Sequence, residues 1–408
     1  MIELRPMTDD DLPDLRRLDD LAFGVTTPDP RWDAATAGLE RDRQTAAVVD
    51  GDLAGHAAVF SHELTVPGGL APAAGVTWVM VSPLHRRRGV LSALMEHQLA
   101  DLHEDGEAVA TLWASEAAIY PRFGYGQASR RMSMTVPRAH AALTPSLEVQ
   151  ARPRLRVGEV PSMRAACERV YDDLRPQRPG MVSRSPGAWL ESSYDDPAGR
   201  DGGSELRCVL VEGETGGPTG YAWYRTTPSW DTGSPEGQVD VQEIVAGSPA
   251  TTRALVGFLL DIDLMSRTTL WNLPVDHPLP LMLRDPRRAR QAIADALWVR
   301  LVRLDDALSA RRYAAEVDVV LEVTDRRCPQ NAGRWRLAAG RTGAAVSRTA
   351  SPPDLTMDVA TLGSAYLGDA TLVPAYDAGL VVEHTAGSLQ ALHRAMLGEV
   401  APWCSYVF

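Results

Sequence analysis

The chain contains no lysine: all 41 of its basic residues are arginine. That absence excludes every chemistry built on a lysine amine, including a P-loop, a pyridoxal Schiff base and an S-x-x-K nucleophile. Cysteine is scarce as well. Cys167, Cys208, Cys328 and Cys404 form no C-x-x-C pair and have no histidine at ligand spacing. No metal site is therefore expected, and the thiols read as scattered core residues. No apolar run approaches the roughly 18 residues of a membrane span, so no membrane partner is expected. The start, MIELRPMTDDDL, is acidic and lacks the apolar centre of a secretory signal, which points to the cytoplasm. Positive charge is also in deficit, with 53 acidic residues and a net charge of −12. A chain so acidic has no general grip on phosphate backbones, so nucleic acid is excluded as a partner, and cationic small molecules are favoured.

What is present is ordinary globular material: 408 residues, 45% hydrophobic and 23% charged, too long for one core. The first 135 residues read as mixed α/β. IELRP is a strand and TDDDLPDLRRLDDLAF a helix with a Thr/Asp start signal. QTAAVVDGDLAGHAAVFSHEL gives two strands around the turn Asp50-Gly51-Asp52. GVTWVMV is a strand, Gly89 to Leu102 a helix by its leucine spacing, AVATLWA a strand, and EAAIYPRFGYG a short helix. TVPRAHAALTPSLEVQARPRLR looks like a linker. From about residue 293, ALWVRLVRLDDALSARRY reads as an amphipathic helix, AAEVDVVLEVTD and GRWRLAAG as strands, and SLQALHRAML as a last helix. The chain then runs out in APWCSYVF, and so apolar a tail is expected to be buried.

The chain contains an echo. VTWVMVSPLHRRRGVLSALMEHQL precedes one TLW, and VDVQEIVAGSPATTRALVGFLLDI precedes another; both read strand, Ser-Pro, helix, strand. In the second copy the arginines shrink to Arg253 and the Arg-Arg-Gly turn is gone. From these residues alone, coincidence and a duplication that lost its ligand site stand side by side.

The run HRRRG at residues 85–89 lies where a strand has ended and a helix begins. First-turn N–H groups have no partners inside a helix and point outward at its positive end, which suits an anion. Flanking arginines add charge-assisted hydrogen bonds, so the pattern suggests a diphosphate ligand; a solvated arginine run is the alternative. The Gly-x-Gly-x-x-Gly pattern of a dinucleotide fold is absent.

R-R-G-x-x-x-A-L after an apolar strand resembles the coenzyme A motif of the GNAT superfamily of N-acetyltransferases. The tyrosine of IYPRFGYG, Tyr120, matches that superfamily's general-acid position. Leu91 departs from it, standing where a small residue is usual. The Eis (enhanced intracellular survival) family shares that departure, and LTVPGG, HRRRG, ASEAAIYPRFGYG and an aromatic tail ending in phenylalanine all resemble it. The resemblance spans the chain and implies an α/β plan of two tandem GNAT-like domains followed by a sterol-carrier-protein-like domain. Residues 1–146 are then the catalytic GNAT domain, 147–292 a degenerate GNAT-like domain that accounts for the echo, and 293–408 the third domain.

The resemblance also implies a chemistry: acetyl-CoA as cosubstrate, no metal, and direct acetyl transfer to an amine. Val79, Met80 and Val81 would pair with the pantetheine arm, with the Val81 N–H as oxyanion donor. Arg87, Arg88, Gly89, Val90, Leu91 and Ser92 would cradle the pyrophosphate, with Ser115 and Glu116 at further contact positions. Tyr120 would be the general acid; its reference pKa of about 10 lies near that of a thiol. The C-terminal carboxylate of Phe408 would serve as base, although its reference pKa of about 3.5 is low for that task, or it would hold the amine in place. His56, His62 and His85 are alternative bases, and Asp19, Asp20 and Glu40 could form an acidic mouth. The implied acceptors are cationic multi-amine compounds such as aminoglycosides and polyamines, and the implied assembly is a homo-hexamer. A lipid or acyl-CoA carrier on a vestigial GNAT scaffold, and an acetyltransferase for protein amines, are the competing classes.

Overall fold

Short apolar alternation followed by tight turns dominates the first third of the chain, and it folds as a sheet with helices laid on it. The computed structural model describes residues 1–147, 153–213 and 216–408. They divide into one unit of Met1–Ser129, Arg178–Glu191 and Asp295–Phe408, and a second of Arg130–Gln177 and Ser192–Ala294.

In the first unit the elements are β1 (Ile2–Pro6), α1 (Leu12–Phe23), α2 (Asp29–Thr36), β2 (Gln44–Val49), β3 (Asp52–Val66), β4 (Gly69–Val81), α3 (Val90–Glu104) and β5 (Val109–Trp113). β2 and β3 pair from Val49↔Asp52, leaving Asp50 and Gly51 as a two-residue turn with both φ angles positive. That is the hairpin geometry Asp-Gly favours. β1 to β5 lie side by side in that order, and Leu297–Leu301 and Gly126–Gln127 complete a seven-stranded sheet.

Leu297–Leu301 corrects the sequence expectation. ALWVRLVRLDDALSARRY is not one helix: LWVRL is a strand antiparallel to β5, and only Leu304–Ala310 is helical. A fully buried strand shows no polar alternation, so its periodicity cannot be told from a helix. The misleading residue is Arg300, which is wholly buried because it pairs with Asp325 at 2.7 Å. Asp325 in turn accepts from the Cys328 N–H and the Asn331 amide. The expected helix at EAAIYPRFGYG is smaller than read, a single 3-10 turn at Tyr120–Phe123.

A five-stranded sheet follows in the same unit, in the order Gly343–Arg348, Gly333–Gly340, Val317–Thr324, Leu355–Asp358, Val381–Glu383. One apolar core runs through both sheets, joining Leu64 and Val299 to Leu321, Leu392 and Tyr406. Burial at about 25 cal/mol per Å² makes such a shared core the main cohesive term.

The second unit has its own seven-stranded sheet, in the order Arg290–Asp295, Arg130–Pro137, Met265–Pro274, Gly237–Ala246, Pro218–Thr227, Arg207–Glu212, Arg154–Glu159. The expected linker is only partly irregular, because its first residues end the strand Arg130–Pro137 and its last begin Arg154–Glu159. Its residues 148–152 lie outside the described residues. The echo appears as structure: the parallel strands Gly237–Ala246 and Met265–Pro274 flank the helix Pro249–Leu260, as β4 and β5 flank α3. All four thiols are buried, but they are not all scattered, since the Cys167 and Cys208 sulfurs lie 3.6 Å apart.

Candidate active site

The site begins where two parallel strands part. β4 and β5 pair only at Ala74↔Ala110 and Gly75↔Thr111, after which β4 runs on to Val81. On its other side β4 bulges: His56 faces Met80 and Ala58 faces Thr77, so Trp78 and Val79 together oppose Ala57. Trp78 sits there at φ 51°, a costly conformation for a bulky residue, and bulges of this kind re-aim a strand beside a functional cleft. The His56 Nδ1–H donates to the Trp78 carbonyl at 3.0 Å and holds the bulge.

A cleft of about 340 Å³ opens at the divergence. Thr77 to Met80 form one wall, and Trp113, Ala114, Ser115 and Tyr120 face them. Val407 and Phe408 enter from the tail, and Asp19 and Phe23 from α1.

Next to it, the turn between β4 and α3 places Arg87 at φ 61° and Gly89 at φ 89°. Such left-handed residues let successive N–H groups converge on an anion. α3 starts without a side-chain cap, so its first-turn N–H groups remain available. Arg86, Arg87 and Arg88 are exposed around the turn. Val90 is buried and Leu91 packs on the core, so these two can offer a ligand only their backbone. This is a cradle that fits a diphosphate.

Tyr120 is buried, and burial, followed by the Glu116 carboxylate, raises its pKa above the ordinary value. The phenol is therefore protonated at neutral pH, as a proton donor must be. Ser115 and Glu116 are exposed at the start of the same loop.

The tail is held residue by residue. Arg178 donates to the Ala401 carbonyl at 2.7 Å, and the Trp403 N–H donates to the Pro179 carbonyl at 2.9 Å. Arg184 donates to the Ser405 hydroxyl at 3.0 Å, its guanidinium lying over the rings of Trp189 and Tyr406. Gly180 has φ 95°, and a Cβ there would come within 2.9 Å of the Trp403 carbonyl oxygen, so only glycine fits. On the cleft side, the Trp113 indole donates to the Tyr406 carbonyl at 2.9 Å. The Phe408 ring then rests edge-on against His62, 4.8 Å between centroids.

Of the residues expected at the site, the cleft brings together Val79, Met80, Ser115, Tyr120 and Phe408, while Val81 ends the same strand. The three histidines do not line it. Burial lowers His56 and His62 to about 4. His56 is tied to the bulge, and His62 lies under Gly75 and Phe408. His85 is buried ahead of the arginines. Sequence reasoning missed Trp78, Trp113 and the segment Arg178–Glu191. The repeated TLW is the one signal that singled out Trp113; nothing in the local pattern linked residues 178–191 to the tail.

Strand divergence, an uncapped arginine-glycine turn before a helix, and a buried tyrosine define an acetyltransferase of the GNAT kind. Residues 3–128 match a family model described as an acetyltransferase (GNAT) domain, and residues 180–304 match a second with the same description. Residues 304–405 match a sterol carrier protein domain. An uncharacterised N-acetyltransferase of Streptomyces coelicolor is 42% identical over 93% of this chain and 90% of its own. The N-acetyltransferase Eis of Mycobacterium tuberculosis is 34% identical over 78% of this chain and 76% of its own. The crystal structure of Eis1 from Mycobacterium abscessus superposes with a TM-score of 0.85 at 33% identity, covering 100% of both chains. The chain belongs to the Eis family of GNAT N-acetyltransferases, with two GNAT domains followed by a sterol-carrier-protein-like domain. Among the described residues, no helix is long and apolar enough to cross a membrane.

Proposed function

We propose that the protein transfers the acetyl group of acetyl-CoA directly to an amine of a cationic multi-amine compound, of the aminoglycoside or polyamine kind. The observation that carries this reading is the meeting of Tyr120 and Phe408 in one cleft at the divergence of β4 and β5. Arg87 to Ser92 hold the pyrophosphate, using the arginine side chains and the backbone of the turn. Val79 to Val81 align the pantetheine arm, with Ser115 and Glu116 on the opposite loop. The Val81 N–H stabilises the oxygen that becomes negative as the amine adds to the thioester, a role that depends on placement alone. Tyr120 delivers a proton to the departing thiolate. The Phe408 carboxylate takes the proton of the attacking ammonium, directly or through water, and its charge draws a cationic acceptor toward the thioester. On the same reading the protein works in the cytoplasm as a homo-hexamer.

The test is thiol release from acetyl-CoA, with a panel of aminoglycosides and polyamines, by the chain ending at Phe408 and by one carrying an extra glycine. The expected result is a fall in kcat of about a hundredfold or more in the extended form, the scale of a lost general base. Equal rates would remove Phe408 from the mechanism while leaving the transferase.

A further inference from the structure

Three carboxylates could have formed an acidic mouth, and the structure separates them. Asp20 accepts the Thr27 N–H at 3.0 Å. Glu40 accepts both the N–H and the hydroxyl of Ser61 at 2.6 Å. Asp19 follows Leu15 by four residues on α1, shares its inward face, and is the one that lines the cleft. It is partly buried, and among the described residues no hydrogen bond or ion pair satisfies it. Its charged neighbour is Asp20, of the same sign. A carboxylate so placed bears a desolvation cost with no counter-charge, and a ligand cation would supply one.

The surface around Asp19 is apolar. Phe23 and Val407 line the cleft and are still 53% and 45% exposed, and the Trp78 ring adjoins them. Of the two indoles in the cleft, Trp78 and Trp113, the N–H of Trp113 already donates to the Tyr406 carbonyl. Such walls suit methylene groups and offer little to a ring of sugar hydroxyls.

We infer that Asp19 is a specificity-determining residue: it binds a second ammonium of the acceptor while the first amine reacts at the thioester. The acceptor class it selects is the linear aliphatic diamine or polyamine, whose methylene spacer lies along Phe23, Val407 and Trp78, ahead of aminoglycosides. The inference rests on the acetyl-transfer reading above.

The experiment measures thiol release from acetyl-CoA with 1,5-diaminopentane, 1-aminopentane and kanamycin, using the wild type, Asp19→Asn and Asp19→Ser. The wild type should favour the diamine over the monoamine in kcat/KM by about tenfold or more, the worth of one charged hydrogen-bonded contact. Both variants should bring that ratio close to one, chiefly through KM for the diamine. A wild-type ratio near one, a ratio that survives both substitutions, or kanamycin outperforming the diamine overturns the role of Asp19 while acetyl transfer stands. Turnover of no amine at all overturns the acetyl-transfer reading and this inference with it.

Discussion

The two GNAT domains carry the same strand–helix–strand unit, and the differences between them show what makes one a site. In the first, parallel pairing stops at Gly75↔Thr111 and the gap beyond it is the cleft. In the second, pairing continues over Gly237↔Met265 to Val241↔Leu270, and where it ends Trp271 donates its indole N–H to the Gln242 carbonyl at 2.9 Å. Arg131 covers that indole, its guanidinium 5.1 Å from the ring centroid. The corresponding Trp113 spends its indole on the tail instead. The helix starts differ in the same sense. α3 has an uncapped N-terminus behind Arg87 and Gly89, whereas Pro249–Leu260 is capped by Ser248, whose hydroxyl accepts the Thr251 N–H. The first helix start has no side-chain partner for its N–H groups; the second has one in Ser248. A fold of this kind becomes a binding site by what it leaves unpaired.

The sharpest way to break this contrast is Tyr120→Phe, since the strand Met265–Pro274 is followed by VDHPLP and no tyrosine. The substitution removes one oxygen from a buried ring, so the fold should persist. The expected loss in kcat is about 10² to 10⁴, the range for a general acid, with KM for acetyl-CoA little changed. Steady-state thiol release measures it. A kcat within a few-fold of wild type would mean that the thiolate leaves without help from Tyr120.

Much of this architecture was legible in the sequence, because the motifs of the first domain are local. HRRRG specifies a turn and a helix start within a handful of residues, and Asp-Gly specifies a hairpin. What stayed hidden depends on residues far apart in the chain. Arg184 reads as one arginine among 41, yet it lies buried over Tyr406 and bonds Ser405. Arg300 argued against a buried strand until its partner, Asp325, was in view. The acidic mouth was beyond sequence for the same reason. Asp19 and Asp20 are neighbours in the chain, but only one of them faces the cleft.

A smaller effect should separate the first unit from the second by acid. Burial holds His56 and His62 neutral and brings each pKa down to about 4, below the ordinary histidine value. As pH falls from about 6.5 toward 4, the unfolded chain takes up protons that the folded chain refuses, so stability declines by about 3 kcal/mol per ring over that window. Above about pH 6.5 both forms are neutral and the term vanishes. Thermal unfolding between pH 7 and pH 4.5 should show Tm falling, and His62→Phe should soften the fall. Hydrogen exchange should lose protection first in β3, where these rings sit, and in its partner β4. A Tm indifferent to pH in that range would mean that the rings are not buried as described.

The smallest expected effect is also the most direct test of the comparison, because it makes one substitution at two equivalent positions. Trp113→Phe and Trp271→Phe each delete an indole N–H that donates to a carbonyl at 2.9 Å. Each should cost about 1 kcal/mol of net hydrogen bonding. If the two tryptophans serve different purposes, the cost must appear in different measurements. Losing the Trp113 bond removes one donor to the Tyr406 carbonyl, leaving the Cys404 thiol at 3.1 Å, and loosens Phe408, so kcat should fall by about tenfold with a small change in Tm. Losing the Trp271 bond weakens only the strand pair it closes, so Tm should drop by about 2 °C while kcat holds. Equal losses of kcat would make the second domain part of the catalytic machinery. Equal losses of Tm with unchanged kcat would make Trp113 a packing residue and leave the placing of the tail to contacts such as those of Arg178, Arg184 and the Trp403–Pro179 pair.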